Sequence, residues 1–178
     1  MICRIRGGNF RDLSYIAANL RKEDFAEIDC QVDGWTPEAL ALSAMQGFSY
    51  VAELDGNPEV AFGACEQRRG LWTAWSWGTP RLKRCIPRVT QFFFAVLGPA
   101  VAERGAWRVE ARPIADNPVA LAWLRKLGAT ERCLLPGYGK NGEDFILFDW
   151  TRESWGNVRI ADEGNGDAGD SGQPAGSS

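Results

Sequence analysis

Apolar and polar positions along the first 150 residues follow two periods, one typical of strands and one typical of helices. Strands are predicted at residues 2–6, 48–54, 59–66, 71–79, 107–112, 131–135 and 145–150. Helices are predicted after Asn9, at residues 24–28, after Thr36, at residues 86–103 and after Asn117. Tight connections join the second, third and fourth strands and predict an antiparallel meander. Strands and helices in this order indicate an α+β domain.

Local signals mark where several of these helices begin or end. Asn9 suits the N-cap of the first helix, and Thr36 with Pro37 begins another, because Thr caps well and Pro suits the first turn. Pro99 falls inside the long apolar segment and predicts a kink or an end there.

Three tryptophans, Trp72, Trp75 and Trp77, fall on both faces of the fourth predicted strand. Core packing on both sides of that strand explains them, because aromatic side chains bury large apolar areas. The alternative is an aromatic surface for a partner protein, because Trp is enriched in interface hot spots.

Residues 117–128 read Asn-Pro-Val-Ala-Leu-Ala-Trp-Leu-Arg-Lys-Leu-Gly and follow the predicted strand at 107–112. Val119, Trp123 and Leu127 predict the buried face of this helix, and Gly128 a left-handed residue at its end. The strand–Asn–helix–Leu-Gly unit resembles the C-terminal half of the GNAT superfamily, the acetyl-CoA-dependent N-acetyltransferases, and the element order over residues 1–150 agrees. The resemblance implies a GNAT-like (acyl-CoA N-acyltransferase) fold, a mixed, mostly antiparallel sheet flanked by helices.

Composition and charge limit the range of partners. The chain has 178 residues, 45% of them apolar, which suits one domain. Residues 151–178 hold two basic and five acidic residues, so residues 1–150 are neutral, which argues against a large nucleic-acid footprint. Residues 1–150 are predicted to form the GNAT-like domain, and the acidic, Gly- and Ser-rich segment 151–178 a disordered tail.

Targeting and metal signals are missing from the sequence. No apolar run is long enough for a membrane helix and no signal-peptide pattern follows the N-terminus, so we expect a cytoplasmic protein without a membrane partner. The chain has no histidine, and its five cysteines form no C-x-x-C pair, so we expect no metal. Acid–base chemistry must then use carboxylates, tyrosine, cysteine or water.

The resemblance also implies a site for acetyl-CoA as co-substrate, between the fourth and fifth strands and on the loop after the fourth. The residues at the matching positions are Trp77, Gly78, Thr79, Arg81, Lys83, Arg84 and Asn117. The family's Gln/Arg-x-x-Gly-x-Gly/Ala signature is absent, and the loop is basic instead. Its cations can bind the CoA phosphates by charge, and the alternatives are an idle basic turn or a contact with an acidic partner. Asn117 is either a cofactor contact or a plain helix cap.

The general acid of the family is also missing. Many members carry a Tyr seven residues after the Asn, where it protonates the departing CoA thiolate. Leu124 stands there in this chain and has no proton to give. Tyr138 is the expected substitute, and Tyr50 and Cys85 are the alternatives.

A base must take a proton from the amine. Glu110, on the fifth predicted strand, or a water that it holds, is the expected base, and Glu53 and Glu66 are the alternatives. With these parts the chain is expected to transfer an acetyl group from acetyl-CoA to an amine of unknown identity, with a degenerate cofactor loop and general acid.

Two shorter motifs imply a different role. Trp-Leu-x-x-Leu-Gly at residues 123–128 and Trp-x-Trp-Gly-Thr at residues 75–79 resemble GNAT-like proteins of short-tailed bacteriophages. Some of those proteins are associated with the internal core of the virion and its assembly. The resemblance implies an alternative, a catalytically inactive phage protein of the host cytoplasm and the virion, which contacts phage structural proteins through its tryptophans and acidic tail.

Overall fold

The structure of the protein is a computed structural model that describes residues 2–154. All but the first four residues of the predicted tail, 151–178, lie outside the described residues. Within residues 2–154 no helix has the length and apolar character needed to cross a membrane.

Seven strands form one sheet within the described range. Their bounds are β1 Cys3–Gly7, β2 Phe48–Leu54, β3 Asn57–Arg68, β4 Leu71–Gly78, β5 Arg108–Ala111, β6 Thr130–Leu135 and β7 Phe145–Thr151. Their spatial order is β1-β2-β3-β4-β5-β7-β6, and every neighbouring pair is antiparallel except β4 and β5, which run parallel. The predicted meander of β2, β3 and β4 and the mixed, mostly antiparallel sheet are confirmed.

Helices cover the two faces of this sheet. Their bounds are α1 Phe10–Ala18, α2 Lys22–Asp29, α3 Pro37–Ala44, α4 Ile86–Phe92, α5 Gly98–Glu103 and α6 Pro118–Lys126. A short 3-10 turn, Leu82–Arg84, precedes α4, and a π-helical turn, Phe93–Leu97, joins α4 to α5.

The predicted N-caps of three helices are confirmed. In each case the side-chain oxygen accepts a hydrogen bond from the backbone N–H three residues on: Asn9 from Asp12 (3.0 Å), Thr36 from Ala39 (3.2 Å) and Asn117 from Ala120 (3.2 Å). Gly128 follows α6 with a φ of 78°, the left-handed conformation predicted for it.

The buried face of α6 differs from the prediction at its N-terminal end. Val119 is 56% exposed, whereas Leu121, Leu124 and Leu127 are buried. Both sets of positions fit a helical period, and packing against the sheet selects the second. The prediction that Val119 is buried was therefore wrong, because this first-turn residue lies outside the helix face that packs against the sheet.

Two hydrophobic cores lie on opposite faces of the sheet. One packs α4, α5 and α6 against Phe62, Trp72 and Val109, and the other packs α1 and α3 against Ala61 and Trp77. Strand alternation puts Trp72 and Trp77 on opposite faces, and both are buried. The core interpretation is confirmed for Trp72 and Trp77, so neither is free to form a partner surface, whereas Trp75 is only partly buried.

The long apolar segment is continuous but not uniform. Pro99 has no N–H to donate, and the helix accommodates it by a π-helical turn in which the Gly98 N–H donates to the Phe93 carbonyl. The predicted irregularity at Pro99 is confirmed, and it lies one turn before the proline. The turn brings Phe93 and Leu97 to the site described next.

Candidate active site

β4 and β5 diverge, and a cavity of about 400 Å³ opens between them. Their last pair joins Thr73 to Glu110, and β4 runs on to Gly78. Residues of α2 and α3 line the cavity on one face of the sheet, and residues of α4, the π-helical turn and α6 line it on the other. The cavity therefore passes through the sheet, and its volume is typical of small-molecule sites.

The backbone of β4 presents hydrogen-bonding groups to this gap. The backbone N–H and C=O of Gly78 point away from β3: the N–H donates to Asp24 Oδ2 (2.8 Å), and the carbonyl accepts from the Arg21 N–H (2.9 Å). Backbone direction alternates along an antiparallel pair, so the N–H and C=O of Ser76 point the same way, beyond the last β4–β5 pair. Within the described residues they have no strand partner, and an extended ligand can pair with them.

The half of the cavity on the α4–α6 face is apolar. Phe93, Trp123 and Trp150 are among its lining residues. The Trp123 indole N–H donates to Thr90 Oγ1 (3.0 Å), and the Trp150 indole N–H donates to the Leu127 carbonyl (2.8 Å). Because both N–H groups are satisfied within the protein, the two indoles contribute apolar surface to this half.

The opposite half combines one carboxylate with an aromatic wall. Glu27 of α2 and Leu40 of α3 line it, and Trp75 lines it from β4. The Trp75 ring lies across Gly63 of β3, where a Cβ atom would come within 2.7 Å of the ring, and it stacks on Trp77 at 5.6 Å. Gly63 thus makes room for the aromatic wall.

Glu27 is the most perturbed acidic group of this site. Burial raises the pKa of its carboxyl from 4.5 to about 7, and the nearby charge of Asp24 adds to the increase. The backbone N–H of Ile114 donates to Glu27 Oε2 (3.2 Å) and offsets part of the shift. The amide of Asn117 also lowers the pKa. A carboxyl with a pKa near 7 at a cavity is suited to general-base catalysis at neutral pH.

The sequence interpretation did not single out Glu27. The residue lies in a predicted helix beside Glu23 and Asp24, and charged residues on a helix usually face solvent. Helical spacing puts Glu27 on the same face as Asp24, which is buried. The sequence does not indicate which of several nearby acidic residues is desolvated. Only tertiary contacts distinguish Glu27 from the others.

We predict that Glu27→Gln stabilises the fold at alkaline pH. Between about pH 4.5 and 7 the folded state keeps a proton that the unfolded state has lost, so stability falls as the pH rises through this range. The substitution removes that cost, roughly 1–3 kcal/mol, which corresponds to a gain in Tm of about 2–10 °C. Thermal unfolding at about pH 8 and about pH 4 measures it, with the gain confined to the higher pH. An equal gain at both values would contradict the assigned pKa.

Glu110, the predicted base, lies on β5 beside the cavity but is absent from its lining. Its carboxylate is buried between two guanidinium groups, Arg108 at 2.7 Å and Arg112 at 2.5 Å. Arg108 also pairs with the fully buried Asp149 at 2.8 Å. The structure therefore places Glu110 in an ion-pair network, and its role as a base stays a prediction.

The alternative bases are engaged elsewhere. Glu53 accepts hydrogen bonds from the Arg6 guanidinium, and Glu66 accepts one from the Gly70 N–H at 2.9 Å. Neither is among the residues that line the cavity.

Tyr138, the predicted acid, lies in the loop between β6 and β7. Its side chain is 47% exposed, packs against Phe145 with ring centroids 5.3 Å apart, and does not line the cavity. Tyr50 packs against Phe62 and Phe92. Cys85 is fully buried, and burial raises the pKa of its thiol to about 12. The structure brings none of these three groups to the cavity, and the assignment of the acid stays a prediction.

The predicted cofactor loop is held by a buried carboxylate, Glu59. Arg81 pairs with Glu59 at 2.9 Å, and the Thr79 hydroxyl donates to the other carboxylate oxygen. The backbone N–H groups of residues 79, 81, 82, 84 and 85 all donate within the loop or to Glu59. This loop offers a phosphate few free amides, unlike a glycine-rich one.

The other predicted cofactor residues fall into two groups. Trp77 lines the cavity, and Asn117 caps α6 beside Glu27 with its amide nitrogen buried and without a hydrogen bond of ordinary geometry. Lys83 and Arg84 are exposed on the loop. The structure thus brings Trp77 and Asn117 to the cavity region, and none of the loop residues 79–85 lines the cavity. No cluster of three or more potential metal ligands occurs among residues 2–154.

We predict that Arg81→Ala destabilises the fold by roughly 1–3 kcal/mol, because it leaves the buried Glu59 carboxylate without its cation. Lys83→Ala, an exposed change in the same loop, is the matched control and is expected to stay within about 0.5 kcal/mol of wild type. Urea unfolding measures both. Equal stability of the two variants would contradict the structural role of Arg81.

Comparisons with known proteins add to this geometry. The sequence matches no family model and no curated protein. Solved structures do match. Ard1 from Thermoplasma volcanium has 14% identity and a TM-score of 0.64, over 84% of this chain and 97% of that chain. The ribosomal-protein-S18-alanine N-acetyltransferase from Escherichia coli has 15% identity and a TM-score of 0.62, over 84% and 94%.

A third structure was solved with a ligand. YncA, a putative acetyltransferase from Salmonella typhimurium with its cofactor acetyl-CoA, has 15% identity and a TM-score of 0.60, over 84% of this chain and 93% of that chain. The fold is that of the GNAT acetyltransferases. The predicted fold class is thereby confirmed. Identities near 15% establish the fold alone, and function must be argued from the site.

Proposed function

We propose that the protein is an acyl-CoA-dependent N-acetyltransferase that transfers an acetyl group from acetyl-CoA to an amine. The observation that carries the proposal is the cavity through the sheet, with unpaired β4 backbone on one wall and a carboxyl of raised pKa on another. The GNAT fold of the chain supports this proposal by analogy with the solved acetyltransferase structures that share it.

The residues present fit acetyl-CoA in part of the site. The apolar half around Phe93 and Trp123 suits its acetyl-pantetheine arm, and the Ser76 backbone groups match the amide groups of that arm. The diphosphate fits less well, because the loop amides are largely used and Arg81 is paired with Glu59. The exposed cations of Lys83 and Arg88, which follow the C-terminal end of β4 in the chain, can compensate the charge of the diphosphate. Acetyl-CoA supplies a thioester activated for acyl transfer.

On the opposite half, Glu27 acts on the amine. An amine enters as an ammonium ion, and the ionised Glu27 carboxylate takes one of its protons. The nitrogen lone pair then forms the new C–N bond as the C–S bond breaks, and the nitrogen gives up its second proton to water to become the neutral amide. The CoA thiolate leaves and takes up a proton. Water or Tyr138 is the proposed source of that proton. The backbone N–H of Ile114 holds the Glu27 carboxylate in place.

Release of CoA thiol from acetyl-CoA in the presence of a panel of primary amines tests the proposal. We expect amine-dependent thiol release, with an N-acetylated product of the added mass in mass spectrometry. No release above the uncatalysed rate with any amine, from protein shown to be folded, would contradict it.

The alternative is the inactive GNAT-fold scaffold, including the proposed role in phage virion assembly. The occupied loop amides, the capped end of β4 at Gly78 and Leu124 in place of a tyrosine favour it. Among the described residues, Trp107 at 57% exposure is the tryptophan best placed to contact a partner. Failure of the thiol-release assay together with failure to bind acetyl-CoA would support this alternative.

A further inference from the structure

The charged residues of the cavity restrict what the amine can be. Among the described residues that line it, Glu27 is the one carboxylate and Arg112 the one basic side chain. Arg112 is already paired with Glu110 at 2.5 Å, so its charge is compensated within the protein. The site therefore has one negative group without a strong cationic partner, which suits one ammonium ion.

The walls around Glu27 are mostly apolar, and Gln31 and Ser43 add neutral polar groups to them but no charge. Ile28 and Val32 follow it along the chain, Leu40 and Ala44 come from α3, and the Trp75 indole forms the opposite wall from the sheet. An indole face attracts an ammonium ion as well as apolar groups. Such surroundings stabilise an apolar body next to the amine and disfavour a second charge, which would lose its hydration without gaining a partner.

We propose that the acceptor is a hydrophobic monoamine: one primary ammonium group on an apolar, ring-sized body, with no second charge. This inference rests on the proposed function. The ammonium group lies between Glu27 and Trp75, and the apolar body packs against Ile28 and Leu40 on the side of the sheet opposite the apolar half assigned to acetyl-CoA.

The same walls give a reason to reject two other classes of amine. A polyamine brings a second ammonium ion, and no second carboxylate lines the described cavity. An amino acid brings a carboxylate, which would have to displace Glu110 from Arg112. Each charge that is buried here without an opposite charge costs well over a tenfold loss of affinity.

Isothermal titration of the full chain at about pH 8, where Glu27 is ionised, tests the inference with four probes of related size. These are 2-phenylethylamine, L-phenylalanine, putrescine and 2-phenylethanol. We expect 2-phenylethylamine to bind at least about 10-fold more tightly than each of the others. Equal or tighter binding of putrescine or L-phenylalanine would overturn the proposal, and so would no binding of 2-phenylethylamine. All four titrations use wild-type protein, so their outcome does not depend on whether a variant folds.

Two pairs of variants then locate the binding site. Glu27→Gln is expected to lower the affinity for 2-phenylethylamine about 10-fold or more, and the exposed Glu23→Gln on the same helix to leave it unchanged. Leu40→Asn is expected to weaken binding, and Leu42→Asn, at a position 55% exposed on the same helix, to have no effect. Equal effects within either pair would contradict the location.

The outcomes separate the two proposals. Binding is measured without acetyl-CoA, so tight binding of 2-phenylethylamine without thiol release would contradict the proposed function alone. Thiol release with putrescine in preference to 2-phenylethylamine would contradict the acceptor class alone.

Discussion

Replacing Glu27 by Gln is expected to lower kcat/KM for the amine by about 100- to 10,000-fold, the usual contribution of a positioned general base. The glutamine has nearly the same size as the glutamate. Its amide oxygen can still accept the hydrogen bond from the Ile114 N–H, so the geometry changes little. Among the described residues that line the cavity, no other carboxylate is then left to accept the amine proton. Steady-state thiol release with saturating acetyl-CoA measures the loss.

The pH profile gives this prediction a second, independent readout. Wild-type kcat/KM is expected to rise with pH through about 7, because the carboxylate form of Glu27 is the base and burial raises its pKa to that value. The variant should lack this step. A structural role for Glu27 alone would lower activity at every pH without removing the step.

The matched comparison is Glu110→Gln, since Glu110 is the base predicted from its place on a central strand. Glu110 lies between Arg108 and Arg112, so its substitution should mainly lower stability and should leave the pH step in place. If Glu110→Gln removes the step and Glu27→Gln keeps it, the sequence-based prediction is right and the assignment of Glu27 is wrong.

Trp150→Ala is expected to destabilise the fold by about 3–5 kcal/mol, the largest stability effect we predict. Trp150 is 1% exposed, packs against Phe93 with ring centroids 5.3 Å apart, and donates its indole N–H to the Leu127 carbonyl. The substitution removes this packing and leaves a buried carbonyl without a partner. It also enlarges the apolar half of the cavity.

Urea unfolding of Trp150→Ala and Trp150→Phe separates these contributions. The Phe variant keeps most of the packing and loses the hydrogen bond, so a cost of about 1–2 kcal/mol is expected. If Trp150→Ala lowers the free energy of unfolding by less than about 1 kcal/mol, this region is not packed as described.

Local signals were sufficient to predict most of the fold. Asn9, Thr36 and Asn117 carry capping side chains whose hydrogen bonds are made within three residues, so the sequence alone indicates where these helices begin. The strand meander follows from short turns between alternating segments. Val119 shows the limit, because two apolar stripes fit the same helix and only the sheet selects between them.

The candidate site was harder to predict because its properties arise from long-range contacts. Burial of Glu27, as α2 packs over the end of β4, raises the pKa of its carboxyl, and the N–H of Ile114, 87 positions away in the chain, offsets part of that increase. Arg81 looks like a phosphate ligand in the sequence, but the structure pairs it with Glu59 on a neighbouring strand. Neither partner can be identified from local periodicity.

Calorimetric titration of the full chain with acetyl-CoA tests the central claim, that the gap between β4 and β5 is the acyl-CoA site. Ser76→Pro removes the backbone N–H that faces the gap without removing a β3 hydrogen bond, and Ser76→Ala keeps it. We predict micromolar binding by wild type and by Ser76→Ala, and a loss of about 10-fold or more in folded Ser76→Pro. No binding by wild type at millimolar acetyl-CoA, or equal binding by the two variants, would contradict the account.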